Sequence, residues 1–506
     1  MEMQTGAQLN KFDMTQWKYN TAHDVYWQIG IAYCANPADA SYENLGIYIP
    51  GAYMVGTENG NGTYTCEINP SGRVGAYTAE TAPMVIPVNT PGYSAMAAPS
   101  GYDSSTAVYT EAGFIYVHAG CRGRDAGAPA GVADLKAAIR YIRYNSDLIP
   151  GSTDRLFTFG MSGGGAQSAL LGATGDSELY TPYLETIGAV SGGSDAVTGS
   201  MCWCPITDLD YADEAYEWNM GVTRNGLTEE MQQISDGLAI AYAHYINELG
   251  LKDEAGNVLL LSESTEGIYQ SGSYYEYLKE VIETSVNHFL EDITFPYTNQ
   301  SSKPSGIALS DTYETAQDYI DALNADQVWI YYNSIYNTAK IKSVEDFVAA
   351  CKKASKSLGA FDQLDGGQIE NTLFGYGDGK GAHFDAVLAG LLKGTEYEGS
   401  YLEDLERMDA LGNTVAGRLN MYKPLYYLSQ HYDGYKTSTV APYWRIRTGI
   451  NQSDTALSTE VNLALALRAY GVEVDFETVW GQGHVEAERW GDSTSNFIQW
   501  VHECCK

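Results

Sequence analysis

The chain has 506 residues, more than one hydrophobic core ordinarily supports, so a core domain with a large insertion or a second domain is expected. Its composition, 44% apolar and 12% aromatic, is that of a folded protein. The net charge of −35, from 64 acidic and 29 basic side chains, argues against nucleic acid as a partner, because such binding depends on neutralising phosphates.

No run reaches the roughly 18 apolar residues of a membrane span, so no membrane partner is expected. The N-terminal segment, MEMQTGAQLNKF, lacks the apolar core of a secretory signal. A cytoplasmic protein and a secreted one whose leader has been removed are both compatible with that.

In chain order, the first strand signals are Leu45–Pro50, Pro83–Val88, Gly113–Val117 and Leu156–Gly160, short apolar runs rich in β-branched and aromatic residues. Between the last two, Val132–Asn145 places Leu135, Ala138, Ile139 and Ile142 at helical spacing. Strand, crossover helix and strand at this distance imply a parallel sheet covered on both faces. From about Ile206 to Ser429 the pattern becomes mainly helical, with Glu229–Leu249, Tyr274–Leu290 and Val344–Ser355 as the clearest stretches. The alternation then returns with a strand at Tyr443–Arg447, a helix at Thr459–Tyr470, a strand at Val472–Trp480 and a short terminal helix near Phe497–His502. The C-terminal segment is too short to close its own sheet. Residues 1–205 and 430–506 are therefore expected to form one α/β-hydrolase core, and residues 206–429 a helical cap inserted into it.

Eight cysteines form neither CxxC pairs nor a CxxC…HxxxH spacing, and HExxH, EF-hand and GxxxxGK[ST] patterns are missing. They are expected to be small buried hydrophobes with at most one disulfide, and no metal or other cofactor is expected.

Gly160-Met161-Ser162-Gly163-Gly164 is a GxSxG pattern that directly follows the strand LFTFG and opens a run of small helical residues. That is the strand, sharp turn and helix of a nucleophile elbow, which makes Ser162 the candidate nucleophile. An oxyanion hole needs two backbone donors. Gly163 follows the nucleophile, and Gly92, in the loop Asn89–Tyr93 after PMVIPV, is the expected second, with Gly120 as the alternative. Of eight histidines, His484 follows the last strand on a glycine-bordered loop and is the expected general base. His118 follows a mid-sheet strand and could line the pocket, whereas His502, on the terminal helix, reads as surface. Asp454 is the sole carboxylate in the loop after YWRIR and is the expected acid partner, although it could equally cap the next helix. Glu486 and Glu488 lie too near His484 in sequence to be preferred.

With these residues placed, the chain resembles the bacterial tannases of the α/β-hydrolase type, esterases that release gallic acid. The likeness is carried by Cys204-Pro205-Ile206, Tyr211–Trp218, Gly120–Arg124, Ala360–Asp365 and Trp444–Arg447. It implies that Lys356, Glu370 and Asp454 grip the phenolic hydroxyls of the acyl ring. One departure stands out: the family's triad aspartate falls two residues before the ring-binding one, and Gln452 occupies that position here. The expected activity is hydrolysis of phenolic-acid esters, galloyl esters above all. A feruloyl or general aryl esterase is the alternative, followed by a peptidase of this fold and, in a different class, a non-catalytic binding protein.

Overall fold

The computed structural model describes residues 9–299 and 312–506. The first eight residues, on which most of the N-terminal reading rests, lie outside the described residues, as do residues 300–311.

A nine-stranded sheet forms the backbone of the core. Its strands are β1 (Lys18–Asn20), β2 (Val25–Ala32), β3 (Asn44–Pro50), β4 (Met84–Val88), β5 (Ile115–Ala119), β6 (Leu156–Met161), β7 (Gly199–Trp203), β8 (Tyr443–Gly449) and β9 (Glu473–Val479). They run across the sheet in the order β1-β2-β3-β5-β4-β6-β7-β8-β9. From β5 to β9 all pairings are parallel. The pairs β1/β2, β2/β3 and β3/β5 are antiparallel, so the sheet is mixed, and the parallel sheet read from the strand–helix–strand rhythm is its larger part. The reason is in the connections: β2 and β3 are joined by a loop with no crossover back along the sheet, so the chain returns antiparallel.

The parallel strands are apolar on both faces because helices cover both. All five residues of β4 and all five of β7 are buried, the pattern of a strand enclosed from two sides. Helix α1 (Ala130–Tyr144) connects β5 to β6, and α2 (Gly163–Ala173) leaves the end of β6; every residue of α2 is buried.

Between β7 and β8 the chain departs into a mainly helical insertion. It contains α3 (Ala212–Met220), α4 (Glu229–Leu249), α5 (Ser273–Asp292), α6 (Val344–Cys351) and α7 (Ile369–Phe374). Helix α4 begins where the Thr228 side chain accepts from the Met231 N–H and stops at Gly250 in the left-handed region, the cap and stop signals of an ordinary helix. Helix α6 ends at Cys351, four residues before its sequence-based limit, so that Lys352 and Lys356 fall on the irregular segment that follows. Two short antiparallel pairs, Tyr297–Thr298 with Thr312–Tyr313 and Ile330–Asn333 with Thr338–Ile341, add strand to a region expected to be helical. After β8 come α8 (Leu457–Tyr470), β9 and α9 (Ser493–Cys504).

All eight cysteines are free thiols, six of them buried, so the expected packing role holds and no disulfide forms. His502 is not an ordinary surface residue. Its ring stacks on Tyr77 at 5.5 Å between centroids, and Nδ1 lies 2.8 Å from the Tyr77 hydroxyl.

Several carboxyl groups are buried, and burial pushes those of Asp208, Asp213 and Glu460 up to about 7, with Glu214 and Asp385 also raised. A raised folded-state value means that the native protein holds protons which the unfolded chain releases in the ordinary carboxylate range. Stability present at low pH is therefore lost as pH rises toward 7. The lowered values of His118, His484 and His502 act in the opposite sense below pH 6.5, but they are outnumbered, and self-repulsion of the −35 net charge adds to the loss. The melting temperature should fall by at least a few degrees between pH 5.5 and pH 8. A calorimetric scan series checks this; a flat or rising trend would contradict it.

Candidate active site

Ser162 stands at the tip of β6 with φ 59° and ψ −123°, a left-handed backbone that a residue carrying a Cβ adopts only under constraint. The constraint comes from both sides of the turn. A Cβ on Gly160 would lie 2.6 Å from the Val88 carbonyl, and one on Gly164 would lie 2.0 Å from the same oxygen. The glycines thus let α2 start hard against β4, while the Ser162 N–H donates to the Trp203 carbonyl at 2.9 Å. The hydroxyl is lifted to the carboxyl edge of the sheet, at the N-terminus of α2, where developing negative charge is favoured.

His484 approaches from the loop after β9. Its Nε2 lies 2.7 Å from Ser162 Oγ, although the two residues are 322 positions apart in the chain. The loop is fixed by Glu488, whose carboxylate accepts a two-pronged contact from Arg445 at 2.7 Å on each side and the Trp203 indole N–H at 2.9 Å. Glu488 therefore braces the loop, and Glu486 accepts from Ser493. The loop after β8 meets the same segment. Asn451 N–H donates to the Gln482 carbonyl at 3.0 Å, and a Cβ on Gly449 would stand 2.0 Å from the Gly483 carbonyl, so only glycine allows this approach.

That approach brings two side chains to the far nitrogen of the imidazole. Gln452 Oε1 lies 3.2 Å from His484 Nδ1 and makes the hydrogen bond. Asp454 Oδ2 lies at 3.8 Å, at ion-pair distance, with its side chain 46% exposed. Asp454 does not cap α8, whose N-cap is Ala456. Burial holds the His484 imidazole below its usual range, with Asp454 pulling it back up and Lys356 and Lys352 pushing it further down. The ring is accordingly neutral at pH 7, the state that accepts a proton.

Gly92 has φ 56° in a short turn, Pro91–Tyr93, after β4. A Cβ on Gly163 would stand 3.2 Å from the Gly92 N, so the two backbones lie against each other. The Gly163 N–H, at the first turn of α2, has no partner in its own helix. Arg124 Nη1 donates to the Gly92 carbonyl at 2.7 Å. The alternative, Gly120, is occupied elsewhere: its N–H donates to the Asn44 carbonyl at 3.0 Å and its carbonyl accepts from the Tyr33 hydroxyl at 2.7 Å. His118 is likewise engaged elsewhere, with Nε2 2.9 Å from the Ala97 carbonyl.

Three charged side chains from the insertion and the β8 loop act on one another here. Glu370, in α7, is buried, and its Oε2 has no hydrogen-bond partner in the protein. Burial raises its pKa, Lys356 and Arg124 lower it, and Asp454 raises it. Lys356 holds its ammonium 3.9 Å above the Phe361 ring, and its main-chain N–H donates to the Tyr216 hydroxyl at 3.1 Å. Lys356 and Asp454 each act electrostatically on both Glu370 and His484.

The BD-FAE family model, an esterase family, matches residues 75–238, the segment that holds β4 to β7 and the Ser162 turn. Among solved structures, tannin acyl hydrolase from Lactobacillus plantarum is 25% identical, with a TM-score of 0.75 over 98% of this chain and 99% of that one. Tannase from Fusobacterium nucleatum is 27% identical, with a TM-score of 0.74 over 95% of each chain. A tannin acyl hydrolase in complex with ethyl gallate is 26% identical, with a TM-score of 0.73 over 95% of this chain and 94% of that one. The chain is an ester hydrolase built on the tannase architecture. No curated protein matches its sequence.

Within this α/β-hydrolase, three residues near the enzyme's candidate site escape a reading of the sequence. Arg124 reaches the Gly92 turn from the loop before α1. Lys352 is buried, and its ammonium donates to the Gln452 carbonyl. Glu460, also buried, accepts from the Gln452 amide at 2.8 Å. Arg124 closes the Gly120–Arg124 segment that carries the resemblance, but that segment assigned it no role, and no motif marks Lys352 or Glu460.

Proposed function

We propose that the chain is a serine esterase hydrolysing esters of phenolic acids, galloyl esters first among them, through an acyl-enzyme on Ser162. The observation that carries this reading is the 2.7 Å approach of His484 Nε2 to Ser162 Oγ at the edge of the sheet. A serine hydroxyl is a weak nucleophile until an adjacent base takes its proton. In the first step Ser162 Oγ attacks the ester carbonyl carbon as its proton passes to His484 Nε2. The oxyanion rests on the N–H groups of Gly163 and Gly92, and donors placed at that oxygen supply much of the rate enhancement in acyl transfer. His484 then protonates the departing alcohol oxygen, and the C–O bond breaks. Water attacks the acyl carbon with His484 as base, and Ser162 regains its proton as the acid leaves.

The acyl preference rests on Lys356, Glu370 and Asp454. Glu370 Oε2 is buried without a partner, which costs free energy unless a ligand donates to it. Adjacent phenol hydroxyls supply such donors, and the Lys356 ammonium gives a donor in return while offsetting the two carboxylates. Rings lacking those hydroxyls would leave the groups unpaired. In this scheme residues 206–429 act as a cap that walls the acyl pocket, and the small ester is the sole partner required.

Methyl gallate, methyl ferulate and methyl butyrate, compared as kcat/KM, test the reading. Methyl gallate should lead methyl butyrate by about 100-fold or more. A lead for methyl ferulate would make the enzyme a hydroxycinnamoyl esterase, and no turnover of any of the three would favour a binding protein.

A further inference from the structure

In a serine esterase the carboxylate behind the base does two things: it holds the proton on Nδ1 and it balances the charge of the imidazolium. Here the residue in hydrogen-bond contact with Nδ1 is Gln452, an amide without charge. Asp454 stands further off at 3.8 Å, partly in solvent. Behind the amide is a buried carboxylate. Gln452 Nε2 donates to Glu460 Oε1 at 2.8 Å, and the Thr448 hydroxyl donates to the same oxygen at 3.2 Å. Glu460 sits in the first turn of α8, fully buried, and its Oε2 has no partner. Lys352, equally buried, supplies the opposing charge from the end of α6 while its ammonium holds the Gln452 main-chain carbonyl.

An amide has a donor end and an acceptor end. A carboxylate only accepts, and burial confines Glu460 to that form above about pH 7. With Glu460 taking the N–H of Gln452, the amide oxygen has to face His484, and a nitrogen facing that oxygen has to carry the proton. Nε2 is then left with its lone pair toward Ser162. Were Gln452 free to turn over, its NH2 would face Nδ1, the proton would move to Nε2, and the base would be lost; the wrong tautomer costs up to about 10⁴-fold in a serine hydrolase.

We propose that Glu460 is a positioning residue which, through the side-chain amide of Gln452, fixes His484 in its Nδ1–H form, with Lys352 as its counter-ion. This rests on reading Ser162 and His484 as nucleophile and base. The charge opposite the imidazolium is then that of Asp454, 3.8 Å from Nδ1.

The test uses isosteric exchanges in the full-length protein, with 4-nitrophenyl acetate as a reporter that does not depend on the ring-binding groups. Glu460→Gln should lower kcat about 30-fold or more with KM within about 3-fold, since the amide is then free to take either orientation. Exchanging both groups, Gln452→Glu with Glu460→Gln, restores a carboxylate to the chain of contacts and keeps the net charge. Its kcat should return to within about 5-fold of the wild type. In the wild-type enzyme, ¹⁵N-labelled imidazole, assigned with His484→Gln, should show Nδ1 protonated and Nε2 bare; this measurement holds even if a variant fails to fold. An Nε2–H tautomer, an unchanged kcat in Glu460→Gln, or a folded double variant as slow as the single one would overturn the proposal. If Ser162→Ala still hydrolyses the reporter, the nucleophile reading itself falls. If Ser162→Ala is dead while Glu460→Gln is fully active, only the role of Glu460 falls.

Discussion

Ser162→Ala should lower kcat for every ester the enzyme accepts, on the order of 10⁴-fold or more, with little change in melting temperature. The side chain is at the tip of a turn that glycine neighbours make possible, so removing one hydroxyl leaves the packing of β6 and α2 in place. His484→Ala should lose about as much. The pair acts as a unit, and once one member is gone the other has no role, so the double variant should be no slower than either single one. Steady-state rates of the two single variants and the double variant on a common ester check this. Additive losses would mean that the 2.7 Å contact is not a working one.

The second large effect separates ring recognition from ester chemistry. Lys356→Met keeps most of the side-chain stem over Phe361 and removes the ammonium. Turnover of methyl gallate should fall about 10- to 100-fold, the worth of a charge-assisted hydrogen bond that is lost with its partner left unpaired. Methyl butyrate, which offers no phenol, should change by less than about 3-fold. Glu370→Gln should behave alike, because the buried Oε2 without a partner is the acceptor in question. Equal losses on both esters in both variants would assign Lys356 and Glu370 to the frame of the insertion and leave the acyl preference unexplained.

The elements that were legible in the sequence are those with a strong local signature. The Ser162 turn follows a strand and opens a run of small residues, and its glycines are dictated by contacts within a few residues of chain or with one neighbouring strand. The place of His484 beside Ser162 was legible from chain order alone, since it follows the last strand. Helix α4 matches its sequence-based limits because Thr228 and Gly250 mark both ends. The first two strands were not legible: Lys18–Asn20 is three residues long, and in Val25–Ala32 two exposed residues and an interior glycine blur the alternation. Strand β7, Gly-Ser-Met-Cys-Trp, is central and wholly buried, yet its small and polar residues give little strand propensity.

The groups behind His484 illustrate a different limit. In sequence, Glu460 reads as the solvent face of a helix, because a glutamate in a first turn is an ordinary find. Helix α8 is buried on every side through its first three turns, so helical periodicity carries no information there. Lys352 in turn lies 100 positions from Gln452 and meets it only because the end of the insertion folds back onto the β8 loop. Charges that pair inside a protein across such distances leave no local pattern.

Treatment with phenylmethanesulfonyl fluoride, followed by peptide mapping, tests the central claim most directly. A single sulfonyl adduct should appear on Ser162, growing in step with the loss of esterase activity, and His484→Ala should form it far more slowly. Inactivation with the adduct on another residue, or full activity in protein whose Ser162 is blocked, would contradict it.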